Sequence, residues 1–531
     1  MKADIIVCGG GLGGFAATLA AARNGYKVIL TEETDWIGGQ LTQQGVPPDE
    51  HPWIETHGAP SSYRAFRNAV REYYKKYYPL TDDAKARAFL NPGDGAVSRL
   101  CHEPRVALEV LHAMLKPYIE KDQVLLLVNH KVVDAKATNY QVSEITIKNL
   151  LTNNSFKATA NYFVDATELG DLLPLTKTDY VTGAESKKQT GEFHASDVAD
   201  PSNQQSFTCC FAIDHQEGKN NLIERPSEYD FWRNYIPNLR PAWPGTLLSL
   251  SYSNPSTLQP RTLDFNPDGT SVNSVLNLWN YRRIIHHKNF LPGVYGSDIS
   301  LVNWPMNDYM LGNLVDVGEK EFKQHLDRAK QLSLSLLYWL QTEAKRPHGG
   351  SGWPGLRLRN DVMGTKDGLA KYPYIRESRR MKTMFTVKEE HVGKEQFEKL
   401  YSKESIDHFH FYDSVGIGYY HIDLHPSSTG DNYIDFDSIP FQIPLGALIP
   451  IDKENLLPAC KNIGTTHITN GCFRLHPVEW SIGEAVGCLL SYCLTKKISP
   501  RKVATNKDAL RQFQFFIQKQ GLEIEWPKKK T

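Results

Sequence analysis

The chain has no charge to spare: its 60 lysines and arginines are matched by 60 aspartates and glutamates over 531 residues. A formal net charge of zero removes any bulk pull toward nucleic acid or an anionic membrane. Cysteine is scarce, with eight residues at 8, 101, 209, 210, 460, 472, 488 and 493 and no CxxC pair. That excludes a disulfide-built scaffold and argues against structural zinc and dithiol redox chemistry. No run of about 20 apolar residues is present to cross a bilayer. The start, Met1-Lys2 leading into Ala3-Asp4-Ile5-Ile6-Val7, lacks the apolar stretch and cleavage site of a secretory signal. These absences predict a soluble, cytoplasmic protein with neither nucleic acid nor membrane as partner. Hydrophobic residues at 40% and charged ones at 23% describe an ordinary folded chain, not a disordered one.

The strongest positive signal lies in the first fifty residues. Ala3 to Val7 reads as a short buried strand, and it passes into Gly9-Gly10-Gly11-Leu12-Gly13-Gly14, a GxGxxG at 9, 11 and 14. An alanine-rich helix follows from Phe15 to Arg23; Asn24-Gly25 ends it, and Lys27 to Glu32 forms a second strand ending in an acid. This is a βαβ unit for binding a dinucleotide. Gly9 permits the tight turn, Gly11 lets the backbone approach a pyrophosphate, and Gly14 allows helix and strand to pack closely. Glu32, or Glu33 beside it, stands where a carboxylate accepts hydrogen bonds from the adenosine ribose. The acid does not separate NAD from FAD. No second GxGxxG lies between a strand and a helix, which disfavours a reductase with two nucleotide sites.

After the second strand comes Trp36-Ile37-Gly38-Gly39-Gln40-Leu41-Thr42. This resembles the flavin-side loop of FAD-dependent oxidoreductases with a glutathione-reductase type of fold, in particular the bacterial branch distantly related to the heterodisulfide reductases. Three later segments are similar to that family in the same order: Tyr162 to Leu172, Pro373 to Arg380, and Ile443 to Gly487. The resemblance implies FAD as cofactor, with Gly39, Gln40, Leu41, Val132, Val133, Ala166, Thr167, Arg474 and Gly483 near it, beside Gly9, Gly11, Leu12, Gly14, Glu32 and Glu33. It also implies an α/β fold whose Rossmann-like FAD-binding domain is discontinuous, built from 1–50, 95–185 and 440–500. An α+β substrate domain over 186–439 would be inserted in it. Segment 51–94 reads as a helical insertion or lid, and 501–531 as a C-terminal helix with a basic tail. The redox CxxC of the family's disulfide reductases is missing, so electrons are expected from an organic substrate.

A flavin enzyme of this kind needs a base and a cation near its substrate. His425 and His476 are the preferred bases, and Arg474 and Arg376 the preferred cations. A helix starting near residue 479 would place its positive end by the flavin, although Gly483 and Gly487 suit close packing too. His421 and His425 are spaced i, i+4 but read as strand, where that spacing puts their Cα atoms roughly 13 Å apart, too far for one ion. No metal is expected. Asn303 and Asp308 lie among aromatics in an arrangement suited to a polyol or to a turn. The favoured function is hydride removal from a CH-OH or CH-NH carbon of a small polar metabolite, a sugar derivative among the options. The electron acceptor stays open, with oxygen one choice. An FAD-dependent monooxygenase or reductase fed by external NAD(P)H is the alternative, and a non-catalytic flavin scaffold or sensor is the alternative of another class.

Overall fold

The computed structural model describes residues 1–271, 275–403, 406 and 409–527; the basic tail expected at 528–530 lies outside them. β1 (Ile5–Cys8) runs into the glycine loop, α1 (Leu12–Arg23) leaves it, and β2 (Val28–Glu32) returns parallel to β1, with Ile5 opposite Val28 and Cys8 opposite Thr31. Both strands are buried along their whole length, as β-branched runs in a covered parallel sheet must be. α1 is buried from Leu12 to Ala22, so its alanines serve an interior helix with neighbours on every side.

α2 (Ser61–Tyr77) and α3 (Pro104–Ile119) follow. Tyr63, Phe66, Val70 and Tyr74 share one face of α2 and belong to the main hydrophobic core. The segment read as an insertion or lid is thus packed into the body of the protein. Its Arg67 and Arg71 are buried too, and pair with Glu50 at 2.7 Å and Glu55 at 2.6 Å. Beyond α3 come β3 (Val124–Val128), an antiparallel meander of β4 (His130–Ala137), β5 (Val142–Asn149) and β6 (Ser155–Ala158), and then β7 (Tyr162–Asp165).

The middle of the chain makes a second, antiparallel sheet from β8 (Phe211–His215), β9 (Arg283–Ile285), β10 (Ile299–Val302) and β11 (Leu356–Leu358), in the order β9-β10-β8-β11. Phe211, Ile213 and Val302 of this sheet join Leu332, Leu336 and Leu340 of the long α4 (Glu319–Thr342) in a separate core. Two hairpin-like pairs follow: β12 (Ser414–Gly418) with β15 (Phe441–Pro444), and β13 (Ile422–Leu424) with β14 (Ile434–Phe436). β16 (Leu456–Pro458) then re-enters the first sheet, and α5 (His467–Phe473), α6 (His476–Lys496) and α7 (Lys507–Lys519) close the chain.

The first sheet has the order β16-β7-β1-β2-β3, all parallel. β1 is followed by β2 on one side and flanked by β7 on the other, and in such sheets the crevice beyond the strands' carboxyl ends at this reversal is the ligand site. α6 lies against α1. A Cβ on Gly483 would fall 2.0 Å from the Gly13 carbonyl oxygen, and one on Gly487 would fall 2.3 Å from that of Ala17. The expectation that Gly483 faces the cofactor is therefore corrected: its missing side chain lets two helix backbones approach. α6 also begins at His476, three residues before the expected start. Among the described residues, no helix is long and apolar enough to cross a membrane.

Candidate cofactor cleft and active site

A narrow cleft lies at the carboxyl ends of β1, β2 and β7, with Gly9, Gly11, Glu32, Glu33, Lys131, Val132, Ala166 and Thr167 in its walls. Gly9 has φ +101°, a backbone state that L side chains rarely adopt. A Cβ on Gly11 would reach within 3.0 Å of Glu168 Oε1, and one on Gly14 within 1.9 Å of the Gly9 carbonyl oxygen. Gly9 thus makes the tight turn and Gly14 the close packing that their spacing predicts. Leu12 is wholly buried in the core and serves packing. Of the two valines picked on β4, Val132 lines the cleft and Val133 is 39% exposed. Strand alternation turns one side chain away whenever the other points in, so only the main-chain contact to adenine that the resemblance implies suits Val133.

Glu32 ends β2 with its carboxylate turned onto the glycine loop, where Oε2 accepts from Gly10 N at 3.0 Å and Oε1 from Thr34 N at 2.8 Å. Burial pushes its pKa up to about 8, against these hydrogen bonds. Glu33 pairs with Lys131 at 3.0 Å, and both acids border the cleft. Thr167 is fixed by Asp165, its hydroxyl donating to Oδ1 at 2.7 Å, and Ala166 N donates to the Cys8 carbonyl at 2.8 Å.

The flavin-side loop folds as a single tight turn over Gly39–Leu41, with Leu41 in the core. Gln40 is its hub: Nε2 donates to Glu479 Oε2 at 2.6 Å and to the Arg474 carbonyl at 2.9 Å, while Oε1 accepts from the Tyr374 hydroxyl at 3.2 Å. Tyr374 and Arg474 in turn line the next chamber. That chamber is a cavity of about 560 Å³ whose walls include Asp49, Arg282, Arg376, Asp423, His425 and Arg474. Tyr252, Tyr281, Trp304, Tyr374, Tyr420 and Tyr433 supply its aromatic faces.

Three of the four predicted catalytic residues meet here, joined in one chain of charges. Arg376 Nη2 lies 3.0 Å from Asp308 Oδ1; Asp308 Oδ2 lies 2.6 Å from His425 Nδ1; His425 Nε2 lies 3.6 Å from Asp423 Oδ2; and Arg474 Nη2 donates to that oxygen at 2.9 Å. Burial pushes the Asp308 carboxyl up, but Arg376 and His425 outweigh it and hold the group below its ordinary range. The same balance, through His425 and Arg474, depresses Asp423 strongly. Arg376 also donates to the Ser206 carbonyl at 2.8 Å and the Thr208 hydroxyl at 3.0 Å, so it orients Asp308 more than it offers itself to a substrate.

His476 is elsewhere. It is fully buried at the start of α6, does not line the cavity, and its Nδ1 accepts from Asp49 N at 3.1 Å. Burial lowers its pKa to about 4, so it stays neutral as a fixed acceptor, and the expectation that it acts as a base is corrected. His421 does not meet His425. It stands with Asp423 and Asp435, the three offering atoms within 4.8 Å of one another, beside the Arg474 guanidinium whose charge opposes a cation.

Sequence reading missed Asp49, Arg282, Asp423, Lys461, Glu168 and Glu479. Arg282 meets Asp49 at 3.2 Å across 233 residues of chain, and no local spacing announces such a pair. Glu168 carried a faint signal, because it follows β7 at the turn facing the glycine loop.

A match to the FAD dependent oxidoreductase family spans residues 4–514, and the chain belongs to that family. FAD is the cofactor of that family, and the residues of the cleft are of the kind it needs: glycines at the loop beside Glu168 and the acids Glu32 and Glu33 at the end of β2. Similar solved structures include the myxobacterial chondrochloren halogenase, at 16% identity over 41% of this chain and 45% of that one, with a TM-score of 0.22. The glycerol-3-phosphate dehydrogenase of Bacillus halodurans complexed with FAD aligns at 14% identity over 40% of each chain, with a TM-score of 0.24. The anhydrotetracycline hydroxylase of Streptomyces rimosus aligns at 9% identity over 98% of this chain and 68% of that one, with a TM-score of 0.33. The chain spans less than half the length of the halogenase and the dehydrogenase, and these likenesses are too distant to carry an activity across. No curated protein matches the chain.

Proposed function

We propose that this enzyme oxidises a CH-OH or CH-NH carbon of a small polar metabolite, with a sugar derivative as the best fit to the cavity. The observation that carries the reading is His425, held by a buried carboxylate and facing a large polar chamber next to the flavin-side loop. FAD supplies the hydride-accepting chemistry. Asp308, ionised, fixes the hydrogen on Nδ1 of His425 and leaves Nε2, which lies 3.6 Å from Asp423 Oδ2 at the chamber wall, to take a proton. A substrate O–H or N–H placed there gives its proton to Nε2, and the resulting imidazolium is stabilised by Asp308. The arginines are matched by carboxylates, Arg282 by Asp49, Arg376 by Asp308 and Arg474 by Asp423, so the chamber carries little unbalanced charge. A neutral, hydroxyl-rich molecule stacked on aromatic rings suits it better than a strong anion.

A parallel sheet drawn from three separated stretches supports a discontinuous cofactor fold of glutathione-reductase type, with the cavity-bearing region inserted in it. Anaerobic bleaching of the flavin by a panel of alcohols, sugars and amines tests the reaction. Reduction by NAD(P)H and by no member of the panel turns the reading toward a monooxygenase or reductase. His425→Gln is expected to slow substrate-driven flavin reduction by about 10²–10⁴-fold with FAD content unchanged; an undiminished rate removes His425 from its role.

A further inference from the structure

One group of buried charges is used neither by the chamber nor by the ribose side of the cleft. Lys461 follows β16, and its side chain is wholly buried. Its Nζ lies 2.6 Å from Glu168 Oε2, 3.6 Å from Glu479 Oε2 and 3.4 Å from Cys460 Sγ. Glu168 sits between the two cofactor loops: its Oε1, buried without a hydrogen-bond partner, lies 3.0 Å from a Cβ built on Gly11 and 3.1 Å from one built on Gly39. Glu479 Oε1 accepts from Gly13 N at 3.3 Å, an amide in the first turn of α1, and a helix N-terminus of this kind is a site for an anion.

The adenosine acids lie on one side of this junction and the flavin-side turn on the other. A dinucleotide reaching from Glu32 and Glu33 to Gly39–Leu41 must carry its diphosphate past Gly11 and Glu168, and Lys461 stands directly behind Glu168. The geometry points to Lys461 as the cation that neutralises the FAD diphosphate, held at the glycine loop by Glu168 and Glu479. The ammonium stays charged in its buried place: burial lowers its pKa, and Cys460, Glu168 and Glu479 together raise it well above the ordinary value. Burial also raises the Glu168 pKa, ahead of the opposing pull of Lys461. Lysine acts on phosphate as a point charge and needs no fork geometry, which suits a residue shared between carboxylates and a diphosphate.

The test uses the holoenzyme, with the rate of FAD release on dilution and the ³¹P resonances of the bound diphosphate as readouts. Lys461→Met is expected to release FAD at least about tenfold faster and to move both ³¹P signals toward those of free FAD, while Lys461→Arg stays near wild type. The double variant Lys461→Met with Glu168→Gln removes the stranded carboxylate as well. Fast release and shifted ³¹P signals persisting in the folded double variant support the assignment. Wild-type release and ³¹P signals in Lys461→Met, or their recovery in the double variant, overturn it and leave Lys461 a structural partner of Glu168.

Discussion

His425 and His476 carry the same side chain in opposite surroundings. His425 faces the cavity with Asp308 behind it; His476 is sealed at the head of α6 with only a backbone donor on Nδ1. An imidazole held near 4 in the folded state and 6.5 in the unfolded one binds a proton only on unfolding between those values. The unfolded chain then holds more protons, so the unfolding free energy rises with pH across the window, and the contribution of His476 is lost as pH falls from 6.5 toward 4. His51 and His102 are lowered to about 4 as well, each by burial, so the wild-type slope is shared. His476→Asn, which keeps an acceptor near the Nδ1 position, is expected to flatten that slope by up to about 1.4 kcal/mol per pH unit. Denaturant unfolding of both proteins at pH 5 and 7.5 measures the difference; identical slopes would show that His476 is protonated when folded.

At the scale of elements, the packing of α1 on α6 leaves no room for an added carbon at Gly483 or Gly487. With 2.0 Å between a Cβ on Gly483 and the Gly13 carbonyl oxygen, Gly483→Val must push the helices apart. The expected cost is about 1–3 kcal/mol or more, seen as a lower Tm, with FAD content per folded molecule preserved. An unchanged Tm with lost FAD would return Gly483 to the cofactor. The same pair shows what sequence could and could not tell. β1, the glycine loop, α1 and β2 are contiguous, so strand, turn and helix signals reinforce one another and the unit is legible residue by residue. A helical stripe with glycines four apart says that something comes close, but not whether it is a ring or a backbone. The side chains of Val132 and Val133 divide similarly: the strand is readable, yet the face that meets the cleft depends on a register set by β5, where Val132 stands opposite Ile147. Arg474 and His425 could be picked because loops near a flavin need a cation and a base. Asp308 behind His425 lies 117 residues away, and its partnership exists only once the sheets are assembled.

For the whole molecule, the decisive joint is between its two large hydrophobic cores. One gathers α1, α2, α6, a face of the parallel sheet and Ala212, Ile285 and Leu301 of the antiparallel sheet; the other gathers Phe211, Ile213 and Val302 of the antiparallel sheet with α4. Asp49 continues from the flavin-side loop, and Arg282 precedes β9 of the second sheet. Their pair, with side chains only 6% and 11% exposed, ties the loop to the wall of the cavity. Asp49 is anchored from a third direction too, since its backbone N–H is the donor to His476. A buried pair of this kind contributes little net stability, but removing one member strands the other's charge at a cost of about 3–5 kcal/mol. Arg282→Met is therefore expected to destabilise the protein by that amount in denaturant unfolding. Arg282→Met combined with Asp49→Asn, which leaves the backbone donor to His476 intact, is expected to recover most of the loss. A cost below about 1 kcal/mol for the single variant would mean that water or a neighbouring group already satisfies Asp49. If the cycle behaves as expected, substrate turnover should still be impaired in the stable double variant, because the wall that positions the substrate against the flavin-side loop would have lost its tie without losing its fold.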